Sequence, residues 1–88
     1  MNKPRILLAD DHALILKGIA GLLQNHYEVV GTAKDGMSLV DEASRLKPDM
    51  VILDISMPLL NGIEAARQMK KAAPKVVLIF LSMHASAV

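Results

Sequence analysis

Three carboxylates in this chain follow short apolar segments and are candidates for metal or phosphate chemistry. Asp10 and Asp11 come directly after residues 6–9, and Asp54 comes directly after residues 50–53. If both segments are neighbouring parallel strands, the three carboxylates meet at one edge of a sheet. Like charges packed this closely repel one another unless a cation lies among them. The pattern therefore indicates a site rather than scaffold.

The chemistry that suits such a cluster is phosphoryl transfer to a carboxylate. Mg2+ prefers a few carboxylates, bound waters and a phosphate oxygen, and a carboxylate acts as a nucleophile toward phosphorus. Ser82 follows the apolar segment 76–81, where its hydroxyl is placed to hydrogen-bond a phosphoryl oxygen. No Gly-x-Gly-x-x-Gly or Walker A motif is present, which argues against a nucleotide cradle. These residues predict a Mg2+-dependent, phospho-accepting aspartate.

The apolar segments also predict the sheet that positions these residues. Residues 6–9, 50–53 and 76–81 are continuously apolar, which is typical of strands buried on both faces of a parallel sheet. Residues 27–33 are more polar, which suits a strand at the edge of the sheet. Helical patterns lie between the strands, so the order is β-α-β-α-β-α-β. This alternation predicts a doubly wound α/β fold with right-handed crossovers.

Each helical pattern has a predicted start and an apolar face. Asp11 is placed to cap the first helix, Asp35-Gly36 precedes the second, and Asn61 with Glu64 has capping-box spacing for the third. The predicted apolar faces are Ile15, Ile19, Leu22 and Leu23 in the first helix, Leu39, Val40, Ala43 and Leu46 in the second, and Ile63, Ala66 and Met69 in the third.

Composition limits the classes of protein to which the chain can belong. Its 88 residues suit one core, and 52% hydrophobic residues argue against disorder. A net charge of +1 and only two aromatic residues do not favour a nucleic-acid surface. Cysteine is absent, so disulfides are excluded. No apolar stretch is long enough for a membrane span or a signal peptide, and we predict a cytoplasmic, soluble domain.

Three short blocks resemble the receiver domain of response regulators. They are Leu8-Ala9-Asp10-Asp11-His12, then Asp54-Ile55-Ser56-Met57-Pro58 with Asn61-Gly62, then Leu81-Ser82-Met83-His84. The Asp-Asp-His and Ser-Met-His sequences most resemble receivers of the NarL/FixJ type, and the resemblance covers residues 3–88. It implies a flavodoxin-like, CheY-like parallel sheet whose four strands here have the order 2-1-3-4.

The resemblance implies roles for five residues of the proposed site. Asp54 resembles the phosphorylated aspartate, Asp11 the direct Mg2+ ligand, and Asp10 the acidic neighbour that holds a metal-bound water. Ser56 is expected to supply a backbone carbonyl to the metal. Ser82 resembles the switch residue that turns toward the phosphoryl group.

Five further residues are expected around this site. Met57, Pro58 and Gly62 resemble the loop that shapes the site before the third helix. We interpret His12 and His84 as rim residues that tune access or pH response, and we do not predict metal ligation by either.

The resemblance also implies partners and missing parts. Receivers have five strand–helix units, so residues 1–88 are expected to form a partial receiver that ends after the fourth strand. The Lys that ends the fifth strand, and any DNA-binding output domain, are expected to lie beyond Val88. The parent protein is predicted to be a transcriptional regulator phosphorylated by a sensor histidine kinase or a small phosphodonor. The domain is expected to be a regulatory acceptor with self-catalysed phosphotransfer, not a turnover enzyme.

Two alternatives to this function stay open, and one further partner is predicted. Without the Lys, the chain is alternatively an interaction module that no longer accepts a phosphoryl group. An Asp-based phosphatase is the weaker alternative, because Asp54-Ile55-Ser56 lacks the second acid that such enzymes need. A bare fourth strand and a bare face of the first helix predict a homo-oligomer.

Overall fold

The computed structural model describes residues 3–54 and 62–81. These residues form a parallel sheet of four strands with three helices packed on it. The elements are β1 (Arg5–Ala9), α1 (Ala13–Leu23), β2 (Glu28–Ala33), α2 (Gly36–Leu46), β3 (Met50–Asp54), α3 (Gly62–Ala72) and β4 (Val77–Leu81). The strand order is β2-β1-β3-β4, and every neighbouring pair is parallel. The predicted doubly wound α/β fold and the order 2-1-3-4 are confirmed.

The two faces of β1 belong to different cores. Ile6 and Leu8 pack with Leu16 of α1 on one face, whereas Leu7 and Ala9 pack into the larger cluster on the other. That larger cluster includes residues of α2, β3 and α3: Leu39, Val51, Leu53, Ala65, Ala66 and Met69. Because successive side chains of a strand point to opposite faces, the continuously apolar β1 sequence serves helices on both sides of the sheet.

The predicted apolar faces of α1 and α3 each included one large side chain that is exposed. The predicted face of α1 also omitted Leu16, the buried residue of that helix, and included Ile15, which is not among the residues packed on the core. Leu22 of α1 is 79% exposed and Ile63 of α3 is 58% exposed. The faces that contact the cores are Leu16, Ile19, Ala20 and Leu23 in α1 and Ala65, Ala66 and Met69 in α3. At 3.6 residues per turn, Leu22 and Ile63 each lie about 110° from the centre of the buried face. The predicted face of α2 is confirmed: Leu39 is buried, and Val40, Ala43 and Leu46 pack against the same core.

The outer strand β4 is apolar but poorly covered. Val77, Ile79 and Phe80 are 49%, 40% and 47% exposed, so both faces of this strand are accessible. Within residues 3–54 and 62–81, β4 is hydrogen-bonded to β3 and to no second strand. Its position at an edge is as predicted, but the burial on both faces expected from its continuous apolar sequence is not found.

None of the described helices has the length and apolar character needed to cross a membrane.

Candidate phospho-acceptor and metal site

The carboxyl ends of β1 and β3 bring two aspartates side by side. The two strands pair in parallel with Ala9 opposite Leu53, so Asp10 follows β1 at the level where Asp54 ends β3. The backbone N–H of Asp10 donates to the carbonyl of Ala33 at 3.0 Å, which fixes Asp10 against the end of β2 as well. Ligand sites in open α/β sheets lie at this carboxyl edge.

Both of these carboxylates are buried, at 1% exposure for Asp10 and 0% for Asp54. Asp11 lies beside them at the surface, with its side chain 35% exposed. Buried carboxylates are costly unless they are paired, hydrogen-bonded or bound to a metal. Asp10 Oδ1 is hydrogen-bonded, whereas Asp10 Oδ2 is buried and has no hydrogen-bond partner among the described residues.

The predicted cap of α1 was wrong. His12, not Asp11, is the N-cap residue, and its side chain makes no capping hydrogen bond. Asp10 Oδ1 instead accepts a hydrogen bond from the backbone N–H of His12 at 2.9 Å. A carboxylate two residues back therefore orders the entry to α1, and this leaves the Asp11 carboxylate available for another role.

His12 brings its imidazole to the same carboxylates. Its Nδ1 lies 2.8 Å from Asp10 Oδ1 and 3.0 Å from Asp11 Oδ1, while the side chain is 60% exposed. The hydrogen bond to Asp10 raises the pKa of His12 above 6.5, and the negative charges of Asp11, Asp10 and Asp54 raise it further. The rim position predicted for His12 did not anticipate that Nδ1 contacts two of the acids, although its place directly after Asp10-Asp11 was the available signal.

The raised pKa of His12 makes a testable prediction. In an NMR titration of the metal-free protein, we expect the His12 ring to titrate above 6.5. Its contribution to stability is fully present below that unfolded-state value and is lost as pH rises through the folded-state pKa. Asp11→Asn is expected to lower the titration midpoint of His12, whereas Asp41→Asn, on the exposed side of α2, leaves it unchanged. An equal midpoint in all three proteins would mean that Asp11 does not act on the ring.

The donor set suits a divalent cation. One ligand atom from each of Asp10, Asp11, His12 and Asp54 lies within 4.8 Å of the others. Three carboxylates match the hard oxygen ligands that Mg2+ prefers, with water completing the coordination. The buried, unpartnered Oδ2 of Asp10 is the kind of atom that a metal-bound water satisfies. The residues present therefore fit Mg2+, and Asp10, Asp11 and Asp54 are the residues that would hold it.

Several predicted site residues lie outside the described residues. They are Ser56, Met57, Pro58, Ser82 and His84, together with the predicted cap Asn61. Gly62 is the first residue of α3. Leu81, the residue before Ser82, pairs with Asp54 in the register of β3 and β4.

A large cavity lies far from these acids, near the opposite end of the sheet. Its volume is about 860 Å³, and its lining comes from α2, α3 and the segments that precede β3 and β4, including Ala43, Lys47, Met69, Ala72 and Val76. None of the clustered acids lines it. Its lining is mainly apolar and includes one carboxylate, Asp49, rather than a cluster of acids, so it does not match the predicted cation site.

Comparison with known proteins agrees with this geometry. The family model for the response regulator receiver domain matches residues 6–88. The transcriptional regulatory protein PdtaR of Mycobacterium tuberculosis is 46% identical over 83 residues, which are 91% of this chain. The chain spans only 40% of the length of PdtaR.

Two solved receiver structures share the fold. The response regulator domain of Thermotoga maritima CheB is 37% identical with a TM-score of 0.88, and the match covers 99% of this chain and 67% of that one. The isolated receiver domain of RcsB from Salmonella enterica serovar Typhimurium, solved with the phosphomimetic BeF3-, is 30% identical with a TM-score of 0.85. That match covers 97% of this chain and 65% of the RcsB chain.

Proposed function

The chain belongs to the response regulator receiver domain family, and on that basis we propose that Asp54 accepts a phosphoryl group in a Mg2+-dependent reaction. The donor is a sensor histidine kinase or a small phosphodonor such as acetyl phosphate. The observation that carries the proposal is the buried pair of Asp10 and Asp54 at adjacent strand ends, with Asp11 beside them. The RcsB receiver solved with a phosphomimetic supports the same chemistry for a relative.

In the proposed reaction, an oxygen of the Asp54 carboxylate attacks the phosphorus of the donor. The new O–P bond makes an acyl phosphate, while the bond from phosphorus to the donor breaks and the leaving group keeps the electron pair. When bound, Mg2+ would offset the charge of the phosphoryl oxygens and orient the donor. Asp10 and Asp11, fixed at the end of β1, would hold the ion beside Asp54. We propose that Ser56, through its carbonyl, and Ser82, through its hydroxyl, complete the site.

In this reaction the domain acts as a switch: Asp54 is phosphorylated once, and the phosphoryl group is then removed. Hydrolysis of the acyl phosphate by water returns the Asp54 carboxylate and releases inorganic phosphate. The domain thus catalyses only its own modification and is not a turnover enzyme. We further propose that it regulates transcription as part of a longer protein, since PdtaR is a transcriptional regulatory protein. We place the DNA-binding function in that longer protein, because RcsB, which is 31% identical, is solved in complex with DNA.

Incubation with acetyl phosphate tests the proposed chemistry. We expect intact-mass measurement to detect one phosphoryl adduct that depends on Mg2+ and is lost in Asp54→Asn. The matched control Asp41→Asn, the same change at an exposed position of α2, is expected to keep the adduct. If Mg2+ binds but no adduct forms, the chain is better described as an interaction module that does not accept a phosphoryl group.

We also propose that this chain forms a homo-oligomer through the outer edge of β4 and the exposed face of α1. The exposed apolar side chains of β4 support this, as do Leu14 and Leu22 of α1, which are 83% and 79% exposed. An accessible apolar edge strand is a template for pairing with another chain. Sedimentation velocity is expected to detect a dimer or larger species that Ile79→Lys converts to monomer. A compact monomer at high wild-type concentration would contradict this proposal.

A further inference from the structure

The imidazole of His12 is the one nitrogen donor among the clustered ligand atoms of the described residues. Its Nδ1 lies 2.8 Å from an oxygen of Asp10 and 3.0 Å from an oxygen of Asp11. In an octahedral site with bonds of about 2.1 Å, adjacent ligand atoms lie about 3.0 Å apart. Without a metal these contacts are a hydrogen bond and an ion pair, and their lengths are close to the spacing of neighbouring ligands of one ion.

The backbone contacts of His12 fix the position from which its side chain extends. Asp10 Oδ1 accepts a hydrogen bond from the backbone N–H of His12 at 2.9 Å, and His12 is the N-cap of α1. The side chain is 60% exposed, so an ion can approach the ring from solvent, and the ligand atoms of Asp10 and Asp54 lie within 4.8 Å of its own. The buried Oδ2 of Asp10 has no hydrogen-bond partner among the described residues, which leaves that carboxylate able to bind or to hold a metal-bound water.

We propose that His12 Nδ1 is an additional ligand of the cation site, and that the site therefore binds divalent transition ions such as Co2+, Ni2+ and Zn2+ more tightly than it binds Mg2+. This inference rests on the proposed cation site. Imidazole suits these ions, whereas Mg2+ prefers oxygen ligands alone. A ligand set of carboxylates and one imidazole thus strengthens the preference for these ions beyond that of three aspartates alone.

The nitrogen ligand has a consequence for the proposed switch. If an ion bound Nδ1 of His12, the imidazole would occupy a coordination position that a water or a phosphoryl oxygen would otherwise fill. The identity of the bound ion is therefore expected to affect how readily Asp54 is modified, and the effect depends on His12.

Binding of Co2+ and of Mg2+ to the full 88-residue chain tests this inference. Calorimetric titrations with each ion alone are compared for wild type, His12→Gln and the matched control His26→Gln, all at one alkaline pH. His26 is exposed and lies in the turn after α1. Proton NMR of the Co2+ form adds a direct readout, because the carbon-bound ring protons of a coordinated imidazole are strongly shifted by the paramagnetic ion and do not exchange with water.

For His12→Gln we expect the shifted signal to disappear and the Co2+ affinity to fall at least about tenfold, since even outer-shell partners of metal ligands alter affinity by 10- to 100-fold. Mg2+ affinity is expected to change little, which also reports that the variant is folded. His26→Gln should retain the shifted signal and the wild-type Co2+ affinity.

Two results would overturn the inference in distinguishable ways. If His12→Gln keeps the shifted signal or the wild-type Co2+ affinity, His12 is not a ligand, and the proposed Mg2+ site is unaffected. If neither ion binds to any of the three proteins, the inference fails together with the cation site on which the proposed function depends.

Discussion

Mg2+ is expected to raise the free energy of unfolding of the wild-type chain by about 2.7 kcal/mol at about 100 times its dissociation constant, because a ligand that binds only the folded state stabilises it. Asp11→Asn is expected to remove most of this gain. Asp11 is the most suitable position for this test, because its substitution leaves in place the hydrogen bond from the His12 backbone N–H to Asp10 at the start of α1. Urea denaturation at increasing MgCl2 and constant ionic strength measures the effect.

The metal-free proteins provide the internal check. Without a divalent ion, and at a pH where His12 is neutral and its ion pair with Asp11 is absent, Asp11→Asn is expected to be neutral or slightly stabilising, because it removes one of three neighbouring negative charges. Asp41→Asn should respond to Mg2+ as wild type does. If Asp11→Asn is stabilised by Mg2+ as strongly as wild type, Asp11 is not a ligand and the proposed assignment of the acids is wrong.

Leu53→Ala is expected to lower the free energy of unfolding by about 2–5 kcal/mol, the usual cost of truncating a buried leucine. Leu53 is fully buried in the core between the sheet, α2 and α3. It is also the residue before Asp54, so a cavity at this position loosens the strand that places the proposed acceptor. For a chain of 88 residues the total stability is roughly 4–13 kcal/mol, which makes this loss a large share.

The matched control for Leu53→Ala is Ile63→Ala, truncation of an apolar side chain of the same size at a position of α3 that is 58% exposed and lies outside the proposed oligomer contacts. Surface substitutions usually change stability by about 0.5 kcal/mol or less, and chemical denaturation resolves this difference. Equal destabilisation by the two substitutions would contradict the packing described for β3 and α3.

The strands were more predictable from sequence than the helix faces. Continuous apolar segments identified β1, β3 and β4 to within about one residue of their ends, because strands of a parallel sheet carry apolar side chains on both faces, although both faces of β4 are accessible. The faces of α1 and α3 were less certain, because apolar residues occur on more than one side of each helix. Leu22 and Ile63 fit an amphipathic pattern but lie beside the buried stripe, and only packing on the sheet decides this rotation.

The candidate site was predictable in its residues but not in its contacts. Residues after parallel strands meet at one edge, so the convergence of Asp10, Asp11 and Asp54 could be inferred from the strand pattern. The orientation of the Asp11 and His12 side chains was not predictable, since the local sequence allows either residue to be the N-cap of α1. The contact of His12 Nδ1 with both neighbouring acids depends on that choice.

The central claim, that Asp54 is the phosphoryl acceptor, is tested most directly by trapping the acyl phosphate where it forms. The chain is incubated with Mg2+ and acetyl phosphate, reduced with borohydride and digested for peptide mass spectrometry. Reduction converts an aspartyl phosphate to homoserine, so the account predicts homoserine at position 54 only when Mg2+ and the donor are both present. Homoserine at Asp10 or Asp11, a phosphoryl group on His12, or no modification at any residue would contradict it.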